Sequence, residues 1–152
     1  MTGVVYKKEG AVTMTYTEIT HPEILKALAG AGHGATILIA DGHFPVSTGA
    51  PLETPRVYLN FAPDLLNVTD VLKHIVKVVP IEAATAIVPD DGSEPPIFPH
   101  YRLSLPTEVE INKVTRFDFY DAVKQPNLAL VIATGEIRTY ACILLTIGVR
   151  KI

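Results

Sequence analysis

An unbroken apolar run constrains this chain more than any other feature of its sequence. Residues 35–40 are apolar apart from Thr36, and polar and apolar positions do not alternate along them. Such a run is typical of a strand that is covered on both faces, as in parallel sheets between layers of helices. His33 precedes the run between two glycines, and Asp41 and His43 follow it. The sequence therefore predicts a buried strand that carries polar side chains at both of its ends.

A helix is predicted immediately before this strand. Thr20 or His21 can act as its N-cap, and Pro22 suits the first helical position. Gly30 or Gly32 can end the helix in a left-handed conformation. The chain would then pass directly from the helix to the histidine and the strand.

Further helices and strands follow in alternation. Thr69 can cap a helix from Asp70 to about Val79, and helical spacing recurs from Arg116 to about Lys124. Short apolar or alternating segments predict strands at 56–61, 83–88, 128–134 and 141–147.

The order of these segments predicts a single α/β domain. Residues 89–99 contain four prolines and predict a surface loop, whereas residues 100–115 are ambiguous between a short helix and a strand. Residues 19–152 contain no internal repeat or linker, so we expect one three-layer domain with a largely parallel central sheet and helices on both faces. Residues 1–18 are Thr-rich and without clear periodicity, which favours an N-terminal extension or loose tail.

The composition argues against several classes of function and favours an assembled protein. Hydrophobic residues make up 48% of the chain, charged residues only 19%, and the mean hydropathy is +0.29. No run approaches the ~18 consecutive apolar residues of a membrane helix. The apolar excess therefore predicts a surface covered by protein, and we expect a homo-oligomer. The net charge of −3 and the pI near 5.9 argue against nucleic acid as a partner, because nucleic acids select basic surfaces.

Cysteine usage and the first residues favour a reduced, cytoplasmic setting. Cys142 is the only cysteine, which excludes an internal disulfide and a cysteine-built zinc site. Lys7 and Lys8 are not followed by the apolar segment of a secretory signal. We therefore expect a cytoplasmic protein that does not associate with a membrane.

His33 is the strongest candidate for chemistry. An imidazole can give and take a proton, and the flanking glycines leave room for a ligand. The alternative is a histidine that only bonds a nearby carbonyl. Asp41 can accept hydrogen bonds from substrate hydroxyls, or it can cap the turn that follows. His33, Asp41 and His43 are also three potential metal ligands, but their spacing matches no standard pattern, so we expect no metal.

Three later residues are weaker candidates. Arg116 can bind a ligand or can be only a charge on a helix surface, and Tyr140 can be only an aromatic side chain at the start of a strand. Cys142 lies in an apolar segment, which favours a small buried side chain over a nucleophile. Together with His33 and Asp41 they predict a polar site on an α/β scaffold, and they leave the reaction open.

Three ordered blocks of this sequence resemble one known family, the L-fucose mutarotases and D-ribose pyranases. The first block runs from His21-Pro22-Glu23-Ile24-Leu25 through Gly32-His33-Gly34 to Asp41-Gly42-His43-Phe44-Pro45, the second is Arg116-Phe117-Asp118-Phe119-Tyr120, and the third is Thr134-Gly135-Glu136 with Tyr140. The blocks cover nearly the whole chain, and their combination is specific.

The resemblance implies an isomerase that interconverts sugar anomers without a cofactor. By position, His33 would be the catalytic histidine, and the side chains in contact with the monosaccharide would be Asp41, Arg116, Tyr140, Ala141 and Cys142. His43 would belong to the pocket wall. Members of the family form ring-shaped homo-oligomers whose sites are completed by a neighbouring subunit, which agrees with the apolar composition.

The sequence departs from the family pattern at the site. The family usually has asparagine where this chain has Cys142, and fucose-type members carry a tyrosine soon after a Pro-Leu-Asp turn, where this chain has Ala83 and Ala84. An Arg-x-Asp pattern before the second helix is replaced around residues 60–62. These losses leave two alternatives: a non-catalytic sugar-binding or regulatory relative, and a less polar pocket for a ligand that is not a sugar.

Overall fold

The computed structural model describes residues 15–152, so the predicted N-terminal extension lies largely outside the described part. The helices are α1 (Pro22–Gly30), α2 (Val68–Ile75), α3 (Phe98–Ser104) and α4 (Arg116–Val123). The strands are β1 (Thr36–Ala40), β2 (Arg56–Tyr58), β3 (Ile81–Ile87), β4 (Ile111–Val114), β5 (Leu128–Ala133) and β6 (Ile143–Ile147). None of the described helices has the length and apolar character that crossing a membrane requires.

The six strands within residues 15–152 form one sheet in the order β2-β5-β1-β6-β3-β4. The pairs β2·β5, β5·β1 and β3·β4 are parallel, and β6 lies antiparallel between β1 and β3. The prediction of one α/β domain with a largely parallel sheet is confirmed. Because β1, β3, β4 and β5 run in the same direction, their carboxyl ends lie at one edge of the sheet, where β6 begins.

The central strand β1 is buried on both faces, as the apolar run predicts. Ile37 and Ile39 pack with residues of α1, α2 and α3, whereas Leu38 and Ala40 pack on the other face with Phe119 of α4. Successive side chains of a strand point to opposite faces, so both faces need an apolar cover. Among the described residues, three helices cover one face and one helix covers the other.

Local capping explains where the helices begin. The His21 side chain accepts a hydrogen bond from the Ile24 N–H, which confirms the predicted start of α1. The predicted cap of α2 at Thr69 is wrong: Asn67 caps it and forms a capping box with Asp70, so the helix begins two residues earlier, and it ends at Ile75 rather than near Val79.

The predicted left-handed end of α1 is also wrong. The residue that follows the helix, Ala31, has an extended backbone conformation. A positive φ, of 89°, occurs instead at Gly34, directly after His33. The Gly34 N–H donates to the Ile147 carbonyl at 2.9 Å. The glycine is therefore used to lead the chain from the histidine into the sheet.

Helix α3 falls in the region that the sequence left as loop or ambiguous. It follows Ile97 without a side-chain cap, so the usual start signal is absent. Its formation depends on burying Phe98 and Tyr101 in the core. Tertiary burial rather than local sequence determines this helix.

We expect Gly135, which follows β5, to be essential for packing. A Cβ there would lie 2.7 Å from the Leu65 carbonyl oxygen and would also overlap the Ala62 carbonyl oxygen. Gly135→Ala should therefore lower the free energy of unfolding by about 1–3 kcal/mol, because backbone must shift. The control is Gly30→Ala, where no described atom beyond its own helix and chain neighbours lies within 4 Å. This control should keep or slightly raise stability, and an unaltered urea midpoint for Gly135→Ala would contradict the packing.

Candidate functional site

A cavity of about 440 Å³ opens at the carboxyl edge of the sheet. Its volume lies within the range of roughly 300–1,000 Å³ for small-molecule sites, and ligands of open α/β sheets bind at this edge. The loops that follow β1 and precede β6, the end of β3 and the first turns of α4 enclose it. The lining residues are Asp41, His43, Phe44, Ile87, Arg116, Tyr120, Thr139, Tyr140 and Cys142.

Asp41 joins two loops of the cavity through its carboxylate. One oxygen, Oδ1, accepts the N–H groups of His43 at 2.9 Å and of Phe44 at 3.0 Å, and Oδ2 accepts the Ala141 N–H at 3.1 Å. Asp41 is only 5% exposed. An ionised carboxylate offers about four acceptor positions, so one position remains for a ligand. The turn-capping interpretation is therefore confirmed, and it leaves room for substrate binding.

Cys142 forms part of the cavity floor. The Asp41 N–H lies 3.3 Å from its Sγ, and burial, together with the Asp41 carboxylate, raises the pKa of the thiol well above its ordinary value. A thiol in this state stays protonated at neutral pH and is a poor nucleophile. The interpretation of Cys142 as a small buried side chain agrees with this geometry. Below it, the buried Tyr101 hydroxyl donates to the Cys142 carbonyl at 3.2 Å.

Arg116 and Tyr120 of α4 also line the cavity. Thr115 caps α4, which places Arg116 at its first position and Tyr120 one turn later on the same side. The guanidinium carbon lies 5.5 Å from the Tyr120 ring centroid and 4.9 Å from that of Phe117. Within residues 15–152 Arg116 has no carboxylate partner, so its N–H donors are available to a ligand. Tyr120 was not among the predicted site residues, although its i,i+4 spacing from Arg116 was a usable signal.

Tyr140 has an unusual backbone conformation. Its φ is 55°, in the left-handed region that residues other than glycine rarely adopt, and its side chain is partly exposed at the cavity. The next residue, Ala141, is the one whose N–H binds Asp41. Such conformations persist where the surroundings hold them, and they concentrate at functional sites. His43 lies nearby, with Nε2 3.3 Å from the Ile137 carbonyl oxygen, as expected for a wall residue.

His33 lies at the opposite edge of the sheet. It precedes β1, whereas Asp41 follows it, and the five residues of this strand alone span about 13 Å between their first and last Cα atoms. The Nε2 atom of His33 lies 2.8 Å from Oε1 of Glu82 at the start of β3, and both side chains are exposed. The structure therefore brings together every predicted site residue except His33. Within one chain, His33 lies apart from Asp41 and His43.

An ion pair between the buried Glu136 and the partly exposed Arg138 lies in the loop between β5 and β6, and its role was not predicted from the sequence. Oε1 of Glu136 accepts the Val68 N–H at 3.2 Å and Nη2 of Arg138 at 2.9 Å, and Oε2 accepts Nε and the backbone N–H of Arg138 at 3.0 and 3.1 Å. Burial alone would raise the pKa of Glu136, but these hydrogen bonds outweigh burial and lower it below its ordinary value.

The comparison with known proteins settles the family. The model of the RbsD / FucU transport protein family matches residues 14–150. This chain belongs to that family. The fucose mutarotase of Mus musculus is 31% identical over 144 residues, covering 86% of this chain and 90% of that protein. The predicted resemblance is thereby confirmed.

Solved structures support the same conclusion. The fucose mutarotase of Streptococcus pneumoniae, solved in complex with L-fucose, is 25% identical, covers 92% of this chain and 100% of its own, and has a TM-score of 0.74. RbsD of Bacillus subtilis, solved with D-ribose, has a TM-score of 0.78 over 91% of this chain and 100% of its own; at 24% identity this match shows the fold.

We expect Asp41→Asn to destabilise the fold. Both carboxylate oxygens of Asp41 accept backbone N–H groups, and asparagine would replace one of these oxygens with an NH₂ donor. At least one buried N–H would then have no acceptor, which costs about 1–3 kcal/mol. Urea denaturation measures the change. Asp121→Asn, on the exposed side of α4, is the matched control and should shift the free energy by less than about 0.5 kcal/mol. Equal stabilities for the two variants would contradict the role of the Asp41 network.

The Glu136 ion pair should make the protein less stable as the pH falls. Because folding lowers the pKa of Glu136, its contribution is present above the ordinary value of 4.5 and is lost as the pH falls through the folded-state value. Glu136→Gln should therefore flatten the acidic limb of the curve of unfolding free energy against pH. The exposed Glu110→Gln is the control. An unchanged acidic limb in Glu136→Gln would show that the carboxylate is not stabilised as described.

Proposed function

We propose that this protein is a cofactor-independent sugar mutarotase or pyranase, an isomerase that interconverts the anomers or ring forms of L-fucose or a related aldose. The observation that carries the proposal is the convergence of Asp41, Arg116, Tyr120 and Tyr140 on one cavity, in a chain with relatives named as fucose mutarotases. We place this activity in the cytoplasm, in agreement with the composition.

The cavity groups suit the chemistry of ring opening. A pyranose opens when one proton reaches the ring oxygen and another leaves the anomeric hydroxyl; the freed aldehyde then turns about its C1–C2 bond, and the ring closes. Asp41 and Arg116 can fix sugar hydroxyls as acceptor and donor, and the tyrosine hydroxyls at 120 and 140 can do both. A histidine can supply the proton and take one back, because its pKa lies near neutrality.

We propose His33 as that histidine, contributed by a neighbouring subunit of a ring-shaped homo-oligomer. His33 and the cavity lie at opposite edges of the sheet in one chain, so a second chain is required to unite them. An Nε2–H that donates to Glu82 fixes the imidazole tautomer and leaves Nδ1 free for a proton of the sugar. Phe61, 89% exposed, and Ile137 line a depression that shares His43 with the cavity, which supports a protein-covered surface there.

A non-catalytic sugar-binding relative is the alternative, and it is not favoured. Cys142 and the alanines at 83 and 84 remove an amide and a hydroxyl from the family pattern. The remaining donors and acceptors nevertheless line one cavity, and the named relatives are mutarotases. A ligand other than a sugar has no specific observation in its favour.

Saturation-transfer NMR of a panel of aldoses tests the proposal. We expect the protein to accelerate anomer exchange of L-fucose or a related aldose, and His33→Ala to lose about 10²–10⁴-fold of this acceleration, the usual contribution of a general acid–base. His100→Ala, an exposed histidine of α3, is the matched control and should keep full activity. Saturable sugar binding without faster exchange would support the non-catalytic alternative instead.

Complementation tests the shared site. His33→Ala and Arg116→Ala should each be inactive alone, because each lacks one half of the site. Chains mixed by unfolding and refolding should regain roughly a quarter of the wild-type sites, since the two halves come from different copies of the chain. If the mixture stays as inactive as its components while the oligomer forms, His33 and the cavity do not act together across subunits.

A further inference from the structure

We propose that Glu136 is a positioning residue for this reaction. Its buried carboxylate holds the loop between β5 and β6 in the conformation that presents Tyr140 and the Ala141 N–H to the site. The inference rests on the proposed function where activity is measured, but its structural consequence is measured independently. Glu136 does not line the cavity, so any effect on turnover must act through other residues.

Glu136 joins three segments of the chain, and two of them, the loops that follow β1 and precede β6, border the cavity. Its Oε1 holds the first N–H of α2, at Val68, and its carboxylate holds both the side chain and the backbone of Arg138. Its own carbonyl accepts the Gly42 N–H at 2.8 Å, next to Asp41. A residue that is 1% exposed therefore connects a helix, the loop that follows β1 and the loop that carries Tyr140.

The second step concerns the strained backbone of Tyr140. Two residues before it, Arg138 is fixed to Glu136; one residue after it, Ala141 is fixed to Asp41. Tyr140, whose φ is 55°, therefore lies between two residues that hydrogen bonds hold in place; we call these bonds its anchors. A left-handed tyrosine costs conformational energy and persists only while its surroundings impose it. Release of the Glu136 anchor should let Tyr140 return to a negative φ, which redirects its hydroxyl away from the cavity.

The charge of Glu136 is essential to this anchor because its two oxygens serve four donors. Glutamine has almost the same shape but keeps only one acceptor oxygen, and its NH₂ group would face N–H donors of Arg138 or Val68. Glu136→Gln therefore breaks the anchor without removing any side chain from the cavity. Glu94→Gln is the matched control: Glu94 also pairs with two cations, Arg102 and Lys113, but it does so away from the cavity.

Activity and structure are measured on the same variants. We expect Glu136→Gln to lower kcat by about 10²-fold, the usual penalty for a misplaced catalytic group, while Glu94→Gln keeps wild-type activity and both retain the far-UV circular dichroism spectrum. Crystal structures should show a positive Tyr140 φ in the wild type and a negative φ in Glu136→Gln. If Glu136→Gln does not fold, Arg138→Lys replaces it, because lysine keeps the charge and loses the paired hydrogen bonds.

A double-mutant cycle separates positioning from general destabilisation. If Glu136 acts through Tyr140, then Tyr140→Phe should cost far less in the Glu136→Gln background than in the wild type, since the hydroxyl is already displaced. Additive losses, or an unchanged Tyr140 φ in Glu136→Gln, would overturn the proposal. If the wild-type protein accelerates anomer exchange of no aldose, the proposed function is wrong. The crystal structures would still decide whether Glu136 holds the conformation of Tyr140.

Discussion

The Asp41 carboxylate is the interaction on which the architecture of the site depends. It binds the N–H groups of the turn that follows β1 and that of Ala141, 100 residues further along the chain. A buried carboxylate is costly unless hydrogen bonds satisfy it, and here three backbone donors do so. The same bonds fix the shape of both loops. Asp41 is therefore a structural element of the cavity as well as a candidate ligand of the sugar.

The position of β6 explains why this interaction is possible. Because β6 lies antiparallel between β1 and β3, its first residue is next to the last residues of both strands. The loop that precedes β6 is thereby brought to the carboxyl edge. His33 precedes β1 and Glu82 lies at the start of β3. Because these strands run in the same direction, the two side chains meet at the amino edge of the sheet, away from the cavity. His33 and the cavity are therefore separated within one chain, and we propose that the assembly joins them into one site.

Much of this arrangement was predictable from the sequence. The buried strand, the helix at Arg116 and the polar groups that end the strand follow from short-range pattern and capping. The family blocks contain Asp41, Arg116 and Tyr140, which line one cavity. The distribution of His33 and Asp41 over two edges follows from strand direction. The pairing of His33 with Glu82 was not predictable, because it depends on the order of strands in the sheet.

Other features depend on tertiary context. Helix α3 lacks a capping signal and forms because Phe98 and Tyr101 are buried. The left-handed backbone of Tyr140 requires anchors on both sides, and no local pattern encodes it. Glu136 and Arg138, which form an ion pair, are only two residues apart in the sequence, and this spacing does not by itself predict a structural role. The pair is important because Glu136 is buried and also binds the Val68 N–H. The geometry of the site depends on contacts between residues that are distant in the sequence, whereas most helices and strands follow from local sequence patterns.

The chemical asymmetry of the cavity supports a sugar ring as its occupant. Phe44, Ile87 and Cys142 form a buried apolar surface, whereas Arg116 and the two tyrosines supply donors and acceptors around it. A pyranose has the same two aspects, with C–H groups on the faces of the ring and hydroxyls around its rim. An apolar surface can cover a C–H face while a few placed polar groups fix the hydroxyls, as in most small-molecule sites. The thiol at 142 extends the apolar surface, so Asp41, Arg116 and the tyrosines are the cavity groups that we propose to orient the sugar.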